Sequence, residues 1–394
     1  MTAQHILLGI TGGVAAYKSA ELVRLLVKAG HTVDVAMSES ATRFVTPVTF
    51  QALSGRPVYV DLWDARPDNN MAHIELTRRA DCFLIAPATA DVLARLAHGH
   101  CDDLITTLAA ARTCPLAVAP AMNKQMWDNP PNQRNIAQLR ADGVTVFGPG
   151  HGEQACGEVG DGRMLEPEQL FDLLAGLTQA KTLAGRRVLL TAGPTFEPID
   201  PVRGITNLSS GKMGYALARA CRDAGAEVTL ISGPTALPRP AEVHFIAAGS
   251  ALSMHAAVME AVPHHDVFIA VAAVADYRVA NASAEKLKKT PGQAPTLTLT
   301  ENPDILASVA ALPSAPFCVG FAAESHNLLA HAQAKRERKR VPLLVANLAQ
   351  HAMGADDNEI VLLDDHGQHP LPRMDKTGAA RAIVAHLAGM LPIR

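Results

Sequence analysis

One pattern occurs twice in the sequence and constrains the fold more than any other feature: an apolar strand, a glycine turn opening an amphipathic helix, a glycine stop and a second strand. Near the N-terminus it reads HILLGI, TGGVAAYKSAELVRLLVKAG and HTVDVAMS. It returns near residue 186 as RRVLLTAG, a long insert, GKMGYALARACRDAG and AEVTLIS. A strand, a helix and a strand in this order form a βαβ unit. The sequence therefore predicts an α/β protein with two doubly wound, Rossmann-like parallel-sheet domains.

The length of the chain agrees with two domains, because 394 residues exceed the usual size of one hydrophobic core. Between the two patterns, FDLLAGLTQAKTLAGRR has the character of a helix end followed by a short polar connector. We therefore predict one domain at residues 1–185 and a second at residues 186–394, with a boundary placed to within a few residues.

Composition narrows the class of protein. Hydrophobic residues make up 48% of the chain and the net charge is −3, so the overall charge attracts neither nucleic acid nor an anionic membrane. The N-terminal residues lack the pattern of a secretory leader and no long apolar run occurs, so we expect a cytoplasmic protein with no membrane partner. The six cysteines form no C-x-x-C pair, so neither disulfides nor zinc are predicted, and Cys82 and Cys318 lie in apolar segments typical of buried strands.

Both glycine turns are candidate phosphate sites, because a parallel sheet presents such turns and helix N-termini at one edge. The first turn, GITGGVAAYK, is not G-x-G-x-x-G, and neither second strand ends in the acidic residue that would hold the ribose of NAD. A nicotinamide oxidoreductase is therefore disfavoured. The second turn, GITNLSSGKMG, is not a Walker A loop, because six residues separate Gly204 from Gly211 and Met213 replaces Ser or Thr.

Three segments of the first half contain residues suited to chemistry. DCFLIAPATAD and LAVAPAMNKQMWDNP each run from a strand into a turn of small and polar residues, and GEQACGEVGDGRM places Cys156 among glycines and acidic residues. Small residues let a flat ring approach the backbone, but ordinary strand-to-helix turns have the same composition. Cys156 alone is equally consistent with an incidental cysteine in a surface loop.

Together, TGGVAAYK, MAHIELTRRADCFLIAPATAD, PAMNKQMW and ACGEVGDGRM resemble the flavin-dependent phosphopantothenoylcysteine decarboxylases, a branch of the FMN-binding cysteine decarboxylase family. The resemblance implies that His73 is the active-site histidine, that Asn123 grips the substrate carboxylate and that Cys156 donates a proton. It also implies a set of FMN contacts, namely Gly12, Gly13, Ser38, Pro87, Ala88 and Thr89.

The implied chemistry explains why such residues are needed. FMN oxidises the thiol-bearing carbon so that the electrons left by departing CO₂ have a sink, and it then returns a hydride. A thiol, with an ordinary pKa of about 8.5, can supply the accompanying proton at neutral pH from a flap hinged by glycines. Without the family match, His73 would be read as a structural histidine and Asn123 as a helix N-cap. Asp91 and Asp102 stand where the family often has asparagine.

The long insert TAGPTFEPIDPVRGITNLSSGKMG, with AAVADYR, EKLKK, ENPDIL, VGFAAES and AKRERKR, resembles the phosphopantothenate–cysteine ligases. The resemblance implies that CTP activates a carboxylate as an acyl-cytidylate, which the amine of cysteine then attacks. Lys286 would be the catalytic lysine, Asn207 would steady the acyl-cytidylate, and Arg203 would contact the substrate. The implied CTP contacts are Asp276, Lys286, Pro303, Asp304, Ile305, Leu306, Phe321, Lys335 and Lys339.

Each of these residues also has a simpler interpretation. A run such as AKRERKR is most often a solvated helix face. An aspartate at a strand end often caps a turn, which would account for Asp276, and Phe321 could be a core residue. Because anionic carboxylate and phosphate must meet in the ligase reaction, we expect lysines and a divalent cation, Mg²⁺ or Mn²⁺, to take part.

With both halves in this order, the chain resembles bacterial bifunctional coenzyme A biosynthesis proteins. The implied reactions join 4′-phosphopantothenate to L-cysteine and then decarboxylate 4′-phospho-N-pantothenoylcysteine to 4′-phosphopantetheine. By the same resemblance we expect a homo-oligomer in which trimers and dimers combine to a dodecamer. The rival hypothesis is a non-catalytic regulatory subunit with a flavin-binding fold, which the presence of His73, Asn123 and Cys156 disfavours.

Overall fold

The computed structural model describes residues 3–63, 71–289, 296–324, 328–348 and 357–392. The chain divides into two compact units, Met1–Gln179 and Ala180–Arg394. The sequence placed the boundary at about residue 185. Residues 180–185 lie in the second unit, where the side chain of Leu183 is fully buried and its N–H donates to the carbonyl of Ala224.

In its described part, the first unit contains eight strands and eight α-helices. The strands are β1 (His5–Ile10), β2 (Thr32–Met37), β3 (Val58–Tyr59), β4 (Cys82–Ala88), β5 (Leu116–Pro120), β6 (Thr145–Val146), β7 (Gly150–Glu153) and β8 (Val159–Arg163). The helices are α1 (Ala16–Lys28), α2 (Pro47–Ser54), α3 (Ala72–Arg79), α4 (Ala90–Ala97), α5 (Leu104–Ala111), α6 (Lys124–Asp128), α7 (Pro130–Ala141) and α8 (Pro167–Leu177). A 3₁₀-helix spans Glu39–Arg43.

The main sheet of the first unit has the strand order β3-β2-β1-β4-β5-β6, and every pair in it is parallel. This is the order of a doubly wound fold, as the sequence predicted. Strand β4, which contains Cys82, is buried along its whole length, because helices cover both faces of such a sheet. The order changes direction between β1 and β4, so the loops after these strands diverge and leave a crevice.

The described part of the second unit contains twelve strands and five α-helices. The strands are β9 (Arg187–Ala192), β10 (Phe196–Asp200), β11 (Arg203–Thr206), β12 (Glu227–Ser232), β13 (His244–Ala247), β14 (Val267–Ala270), β15 (Tyr277–Val279), β16 (Leu299–Glu301), β17 (Phe317–Glu324), β18 (Leu343–Leu348), β19 (Asp357–Asp364) and β20 (Gly367–Asp375). The helices are α9 (Lys212–Asp223), α10 (Ala251–Ala261), α11 (Ile305–Ala310), α12 (Leu328–Lys339) and α13 (Lys376–Met390). A 3₁₀-helix spans Val262–His264.

The main sheet of the second unit runs β13-β12-β9-β14-β17-β18-β19-β20. Its first six strands are parallel and repeat the order of the first unit, whereas β19 and β20 are antiparallel additions at one edge. The predicted parallel sheet is therefore extended by an antiparallel hairpin.

Alternate residues of β9 lie on opposite faces of this sheet. Val188 and Leu190 pack into a core with α9 and α13, whereas Leu189 packs into a second core with α10 and α11. This alternation follows from the two-residue period of a strand. Within the described residues, no helix combines the length and apolar character needed to cross a lipid bilayer.

Candidate active sites

In the first unit, two of the predicted FMN-binding segments meet at the carboxyl edge of the sheet. The hydroxyl of Thr11, just beyond β1, donates to the carbonyl of Pro87 at 2.7 Å and accepts from the N–H of Thr89 at 3.3 Å. Gly13 is adjacent, because a Cβ atom added there would lie 3.8 Å from the Thr89 side chain. Pro87 and Ala88 end β4, so the predicted Gly12–Gly13 and Pro87–Thr89 segments lie on either side of the crevice.

Ser38 joins this cluster through its neighbour Ser40. The two hydroxyls lie 3.0 Å apart, and a Cβ atom at Gly12 would lie 2.4 Å from Ser40 Oγ, so only glycine allows this approach. Helix α1 begins just after the glycines with no side-chain cap on its first turn. A helix N-terminus of this kind, reached through glycines, fits a phosphate group.

Asn123, three residues after the end of β5, is the N-cap of α6. Its Oδ1 accepts from the N–H of Met126 at 3.0 Å, so the simple interpretation of this residue as a cap is correct for one of its atoms. Its amide Nδ2 points elsewhere and donates to Gln125 Oε1 at 2.7 Å and to Glu158 Oε2 at 3.4 Å.

Cys156 lies in the turn between β7 and β8, which pair as an antiparallel hairpin. Its Sγ is exposed and lies 3.6 Å from Glu158 Oε2 and 3.8 Å from Gln154 Oε1. The hairpin is joined to the segment before α6, because the N–H of Met122 donates to the carbonyl of Gly162 at 2.9 Å. The structure thus brings together Asn123 and Cys156, which are distant in sequence, around the carboxylate of Glu158.

His73 is the second residue of α3, and its side chain is half-buried. Its Nδ1 atom is buried and has no hydrogen-bond partner among the described residues. A buried nitrogen without a partner is uncommon and fits a site completed by a ligand. Within the described part of the chain, no hydrogen bond links His73 to Asn123 or Cys156, so their predicted association rests on the family resemblance.

Asp91 and Asp102, which depart from the family pattern, share one partner. Arg95 forms an ion pair with Asp102, lies 2.6 Å from Asp103 and lies 3.9 Å from Asp91. Burial lowers the pKa of Arg95, but its bonds to Asp102 and Asp103 outweigh burial and the net shift is upward. The added carboxylates are therefore balanced by a local cation.

In the second unit, Asn207 lies between β11 and α9. Its Nδ2 donates to the carbonyl of Ala273 at 2.9 Å, and the N–H of Thr195 donates to the same oxygen at 3.2 Å. The loops after β9, β11 and β14 therefore meet at Ala273. Asp276, three residues further on, is exposed, and its carbonyl accepts from the N–H of Asn302, next to Pro303.

The loop that carries Lys286 is held by an ion pair between Asp200 and the exposed Arg203. Asp200 is buried, and its carboxylate accepts from Arg203 Nε at 2.9 Å and from the N–H of Leu287 at 3.1 Å. Arg203 in turn donates to the carbonyl of Leu287 at 2.8 Å. The hydrogen bond from Arg203 holds the pKa of Asp200 well below its usual value, so Asp200 stays ionised. Lys286, adjacent to Leu287, is exposed.

The predicted CTP contacts on α11, α12 and β17 also meet. Lys339 Nζ binds Asp304 at 2.6 Å, and Lys335 Nζ donates to the carbonyl of Phe321 at 3.0 Å. These two lysines therefore face neighbouring elements, and the interpretation of α12 as a wholly solvated basic face is wrong for them. Burial raises the pKa of Asp304, but the hydrogen bonds from Lys339 and from the N–H of Ala307, together with the charges of Lys339 and Lys335, outweigh burial and the net shift is downward.

Three other predicted CTP contacts, Ile305, Leu306 and Phe321, also contribute to the hydrophobic cores. Ile305 and Leu306 are buried in one core of the second unit, and Phe321 is half-buried against the other. A separate cavity of about 280 Å³ lies where β12 and β13 end, lined by residues that include Tyr215, Thr235, Arg239 and Phe245. The sequence did not predict this cavity, because its lining comes from three segments, at residue 215, residues 232–239 and residues 245–249.

One cluster among the described residues has the donor types of a metal site. Asp364 accepts from His369 Nε2 at 3.0 Å and from His386 Nε2 at 2.8 Å, and these ligand atoms lie within 4.8 Å of one another. Both carboxylate oxygens are thus already hydrogen-bonded, and the N–H of His366 adds a third bond at 2.7 Å. Burial raises the pKa of Asp364, but these bonds outweigh burial and the net shift is downward.

Comparison with known proteins agrees with the division into two units. A family model described as Flavoprotein matches residues 1–179, and one described as DNA/pantothenate metabolism flavoprotein C-terminal domain matches residues 183–390. Among curated relatives, the coenzyme A biosynthesis bifunctional protein CoaBC of Vibrio cholerae is 49% identical over 98% of both chains. The protein of that name from Escherichia coli K12 is 46% identical over 94% of this chain and 93% of its own.

A solved structure titled as the C-terminal domain of coenzyme A biosynthesis bifunctional protein CoaBC is also similar. It is 37% identical, covers 54% of this chain and 98% of its own, and superposes with a TM-score of 0.47.

Proposed function

The chain belongs to the family of coenzyme A biosynthesis bifunctional proteins, and from this membership we propose which of its residues carry the two reactions. It is a bifunctional enzyme with a flavoprotein decarboxylase domain and a ligase domain. The observation that carries this conclusion is the identity of 49% over 98% of both chains, because it extends through both halves. It favours the enzyme over a non-catalytic regulatory subunit.

In the decarboxylase half we assign FMN to the crevice between β1 and β4. Gly12, Gly13 and the uncapped start of α1 suit its phosphate, with Ser38 beside them and Pro87, Ala88 and Thr89 across the crevice. FMN supplies a reversible two-electron oxidation, which gives the electrons released with CO₂ a sink. The orphaned Nδ1 of His73 is the further polar atom that a bound ligand would satisfy.

The chain's own residues then have distinct tasks in decarboxylation. The amide Nδ2 of Asn123 binds the substrate carboxylate, and its Oδ1 keeps the side chain oriented by capping α6. Cys156 holds a proton on Sγ and donates it to the carbon that lost CO₂. The β7–β8 hairpin carries this thiol, and it excludes water from the reacting carbon by folding over the substrate.

In the ligase half we assign CTP to the residues around α11 and α12. Lys335 and Lys339 are the cations for its phosphates, and Asp276, Pro303, Asp304, Ile305, Leu306 and Phe321 surround the nucleotide. The carboxylate of 4′-phosphopantothenate attacks the α-phosphorus of CTP and pyrophosphate leaves. Lys286 would balance the negative charge of that step, a divalent cation, Mg²⁺ or Mn²⁺, would supply further positive charge, and Asn207 would hold the acyl-cytidylate. The amine of L-cysteine then displaces CMP.

Arg203 was expected to contact the substrate, but its contacts support a role in positioning the Lys286 loop. Its guanidinium is engaged with Asp200 and with the carbonyl of Leu287, which places the Lys286 loop. A direct contact with substrate stays a prediction, as do the dodecameric assembly and the cytoplasmic location. The sequence predicted domains at residues 1–185 and 186–394. We propose the same two domains with the boundary moved, so that the second begins at residue 180.

Purified full-length protein tests both halves separately. Pyrophosphate release should require CTP, a divalent cation and 4′-phosphopantothenate together. CO₂ release from supplied 4′-phospho-N-pantothenoylcysteine should require FMN and no CTP. Protein that stays colourless after incubation with FMN contradicts the decarboxylase assignment, and pyrophosphate release that ignores 4′-phosphopantothenate contradicts the ligase assignment.

A further inference from the structure

Glu158 connects the two residues that the proposed function places in decarboxylation. Its Oε2 accepts from the amide of Asn123 at 3.4 Å and lies 3.6 Å from the thiol sulfur of Cys156. Its Oε1 accepts from Gln125 Nε2 at 2.9 Å. One carboxylate therefore contacts both the N-cap of α6 and the turn of the β7–β8 hairpin.

The hairpin is held in this place by contacts that do not involve the Glu158 side chain. Gln154 is buried, and its side chain accepts from the N–H of Lys124 at 2.9 Å and donates to the carbonyl of Asp161 at 3.0 Å. A Cβ atom at Gly162 would lie 2.5 Å from the carbonyl oxygen of Met122, so the hairpin and the segment before α6 are in backbone contact. Removal of the Glu158 charge should thus leave the hairpin seated.

Both amide hydrogens of Asn123 are already engaged in this arrangement. Its oxygen accepts from Met126, and its two amide hydrogens go to Gln125 and Glu158. An asparagine amide has only two donors, so a substrate carboxylate can bind Nδ2 only by replacing one of these acceptors. The Glu158 contact is the longer of the two, and a carboxylate that enters beside Glu158 repels it.

We propose that Glu158 is a positioning residue that takes the place of the substrate carboxylate on Asn123 until substrate displaces it. The inference rests on the proposed role of Asn123. The same displacement removes an acceptor from the Cys156 thiol, because both contacts use Oε2. When a molecule bearing a carboxylate has entered, the Cys156 thiol keeps only its longer contact, with Gln154 Oε1 at 3.8 Å, and its proton is released more readily. When that carboxylate leaves as CO₂, the repulsion ends and Glu158 returns to Asn123.

Substitution of Glu158 tests whether its carboxylate competes with the substrate carboxylate for the amide of Asn123. Glu158→Gln keeps the size of the side chain and removes its charge. The KM for 4′-phospho-N-pantothenoylcysteine should fall by about three- to tenfold, measured from initial rates of CO₂ release. The inhibition constant of 4′-phosphopantetheine, which has no carboxylate, should stay within about twofold of wild type. Glu153→Gln is the matched control, because Glu153 is an exposed glutamate of the same hairpin, and both constants should be unchanged in it.

The outcomes separate this inference from the proposed function. A KM that is unchanged or raised in Glu158→Gln overturns the inference, as does a parallel change in KM and in the inhibition constant, which indicates a general effect on the hairpin. Loss of all CO₂ release in Glu158→Gln, with FMN still bound, also overturns it. Absence of CO₂ release from the wild-type protein overturns the proposed function itself.

Discussion

Asn123 shows how a single residue can have a structural and a chemical role through different atoms. Its Oδ1 caps α6, and its Nδ2 is directed at the acceptors around the hairpin turn. A family motif alone does not separate these roles. The geometry does, because the cap uses only the oxygen.

Substitution by aspartate separates the two roles of Asn123. Aspartate caps a helix about as well as asparagine does, so Asn123→Asp should change the melting temperature little. It lacks the amide hydrogens and adds a charge that repels the substrate carboxylate. CO₂ release should therefore fall by about 100-fold or more, measured with supplied 4′-phospho-N-pantothenoylcysteine. Retention of near wild-type turnover would remove Asn123 from carboxylate binding.

Substitution of Cys156 tests the origin of the proton. A serine hydroxyl is a far weaker acid than a thiol, so Cys156→Ser should still release CO₂ but reduce complete turnover by about 10²- to 10⁴-fold. An oxidised enethiol should accumulate, as measured by mass spectrometry. Cys101→Ser is a suitable control, since Cys101 is also exposed and lies outside the proposed site. Normal formation of 4′-phosphopantetheine by Cys156→Ser would contradict the assignment.

The sequence predicted some site residues and missed others for a physical reason. Asn123 and Thr89 follow buried strands, so the periodic pattern itself places them at the carboxyl edge. Glu158 and Asp200 bind not only near neighbours but also Asn123 and Leu287, which are 35 and 87 positions away in the chain. The motif ACGE and the Asp–Arg spacing in PIDPVRG were visible, but nothing local indicated these partners.

At the scale of elements, the long insert after β9 is an antiparallel hairpin, β10–β11, that holds the loop of Lys286. Asp200 at the end of β10 binds the backbone N–H of Leu287, and Arg203 at the start of β11 binds its carbonyl. The hairpin therefore fixes both peptide groups of the residue that follows Lys286.

Loss of the Asp200 charge should affect the ligase through this loop. Asp200→Asn weakens the bond to Arg203 and loosens Leu287, so pyrophosphate release should fall by about tenfold or more. CO₂ release from supplied 4′-phospho-N-pantothenoylcysteine should be unchanged. Asp365→Asn is the control, because Asp365 pairs with Arg336 but is largely exposed. Equal ligase rates in Asp200→Asn and wild type would show that the loop is placed by other contacts.

Asp364 joins β19 to β20 and α13 and should make stability depend on pH. Its folded-state pKa lies below its ordinary value, so its ionised form contributes stability above the unfolded pKa of about 3.9. That contribution is lost as the pH falls from about 5 through the unfolded value towards the folded pKa. Wild type should therefore exceed Asp364→Asn in urea midpoint at pH 6, with the difference shrinking at pH 3.5. A difference that does not depend on pH would contradict this linkage.

The repeated pattern predicted a doubly wound parallel sheet in each unit, but it did not predict the strands at the sheet edges. Parallel strands that are buried on both faces have near-continuous apolar sequences, which made β4 and β9 recognisable. Strands β19 and β20 form the antiparallel edge, and β20 is exposed at most positions. Its sequence, GQHPLPRMD, contains two prolines and lacks a clear alternation, so pairing with β19 rather than local preference determines it.

At the scale of the whole molecule, the central claim is that one chain performs two consecutive reactions in two separate units. The decisive measurement follows pyrophosphate and CO₂ together after 4′-phosphopantothenate, L-cysteine, CTP and Mg²⁺ are added to the FMN-loaded full-length protein. We predict that pyrophosphate appears first and that CO₂ follows in equal final amount. Lys286→Ala should abolish both signals, while still releasing CO₂ from supplied 4′-phospho-N-pantothenoylcysteine. Pyrophosphate release without any CO₂, or CO₂ release in the absence of CTP, would contradict the account.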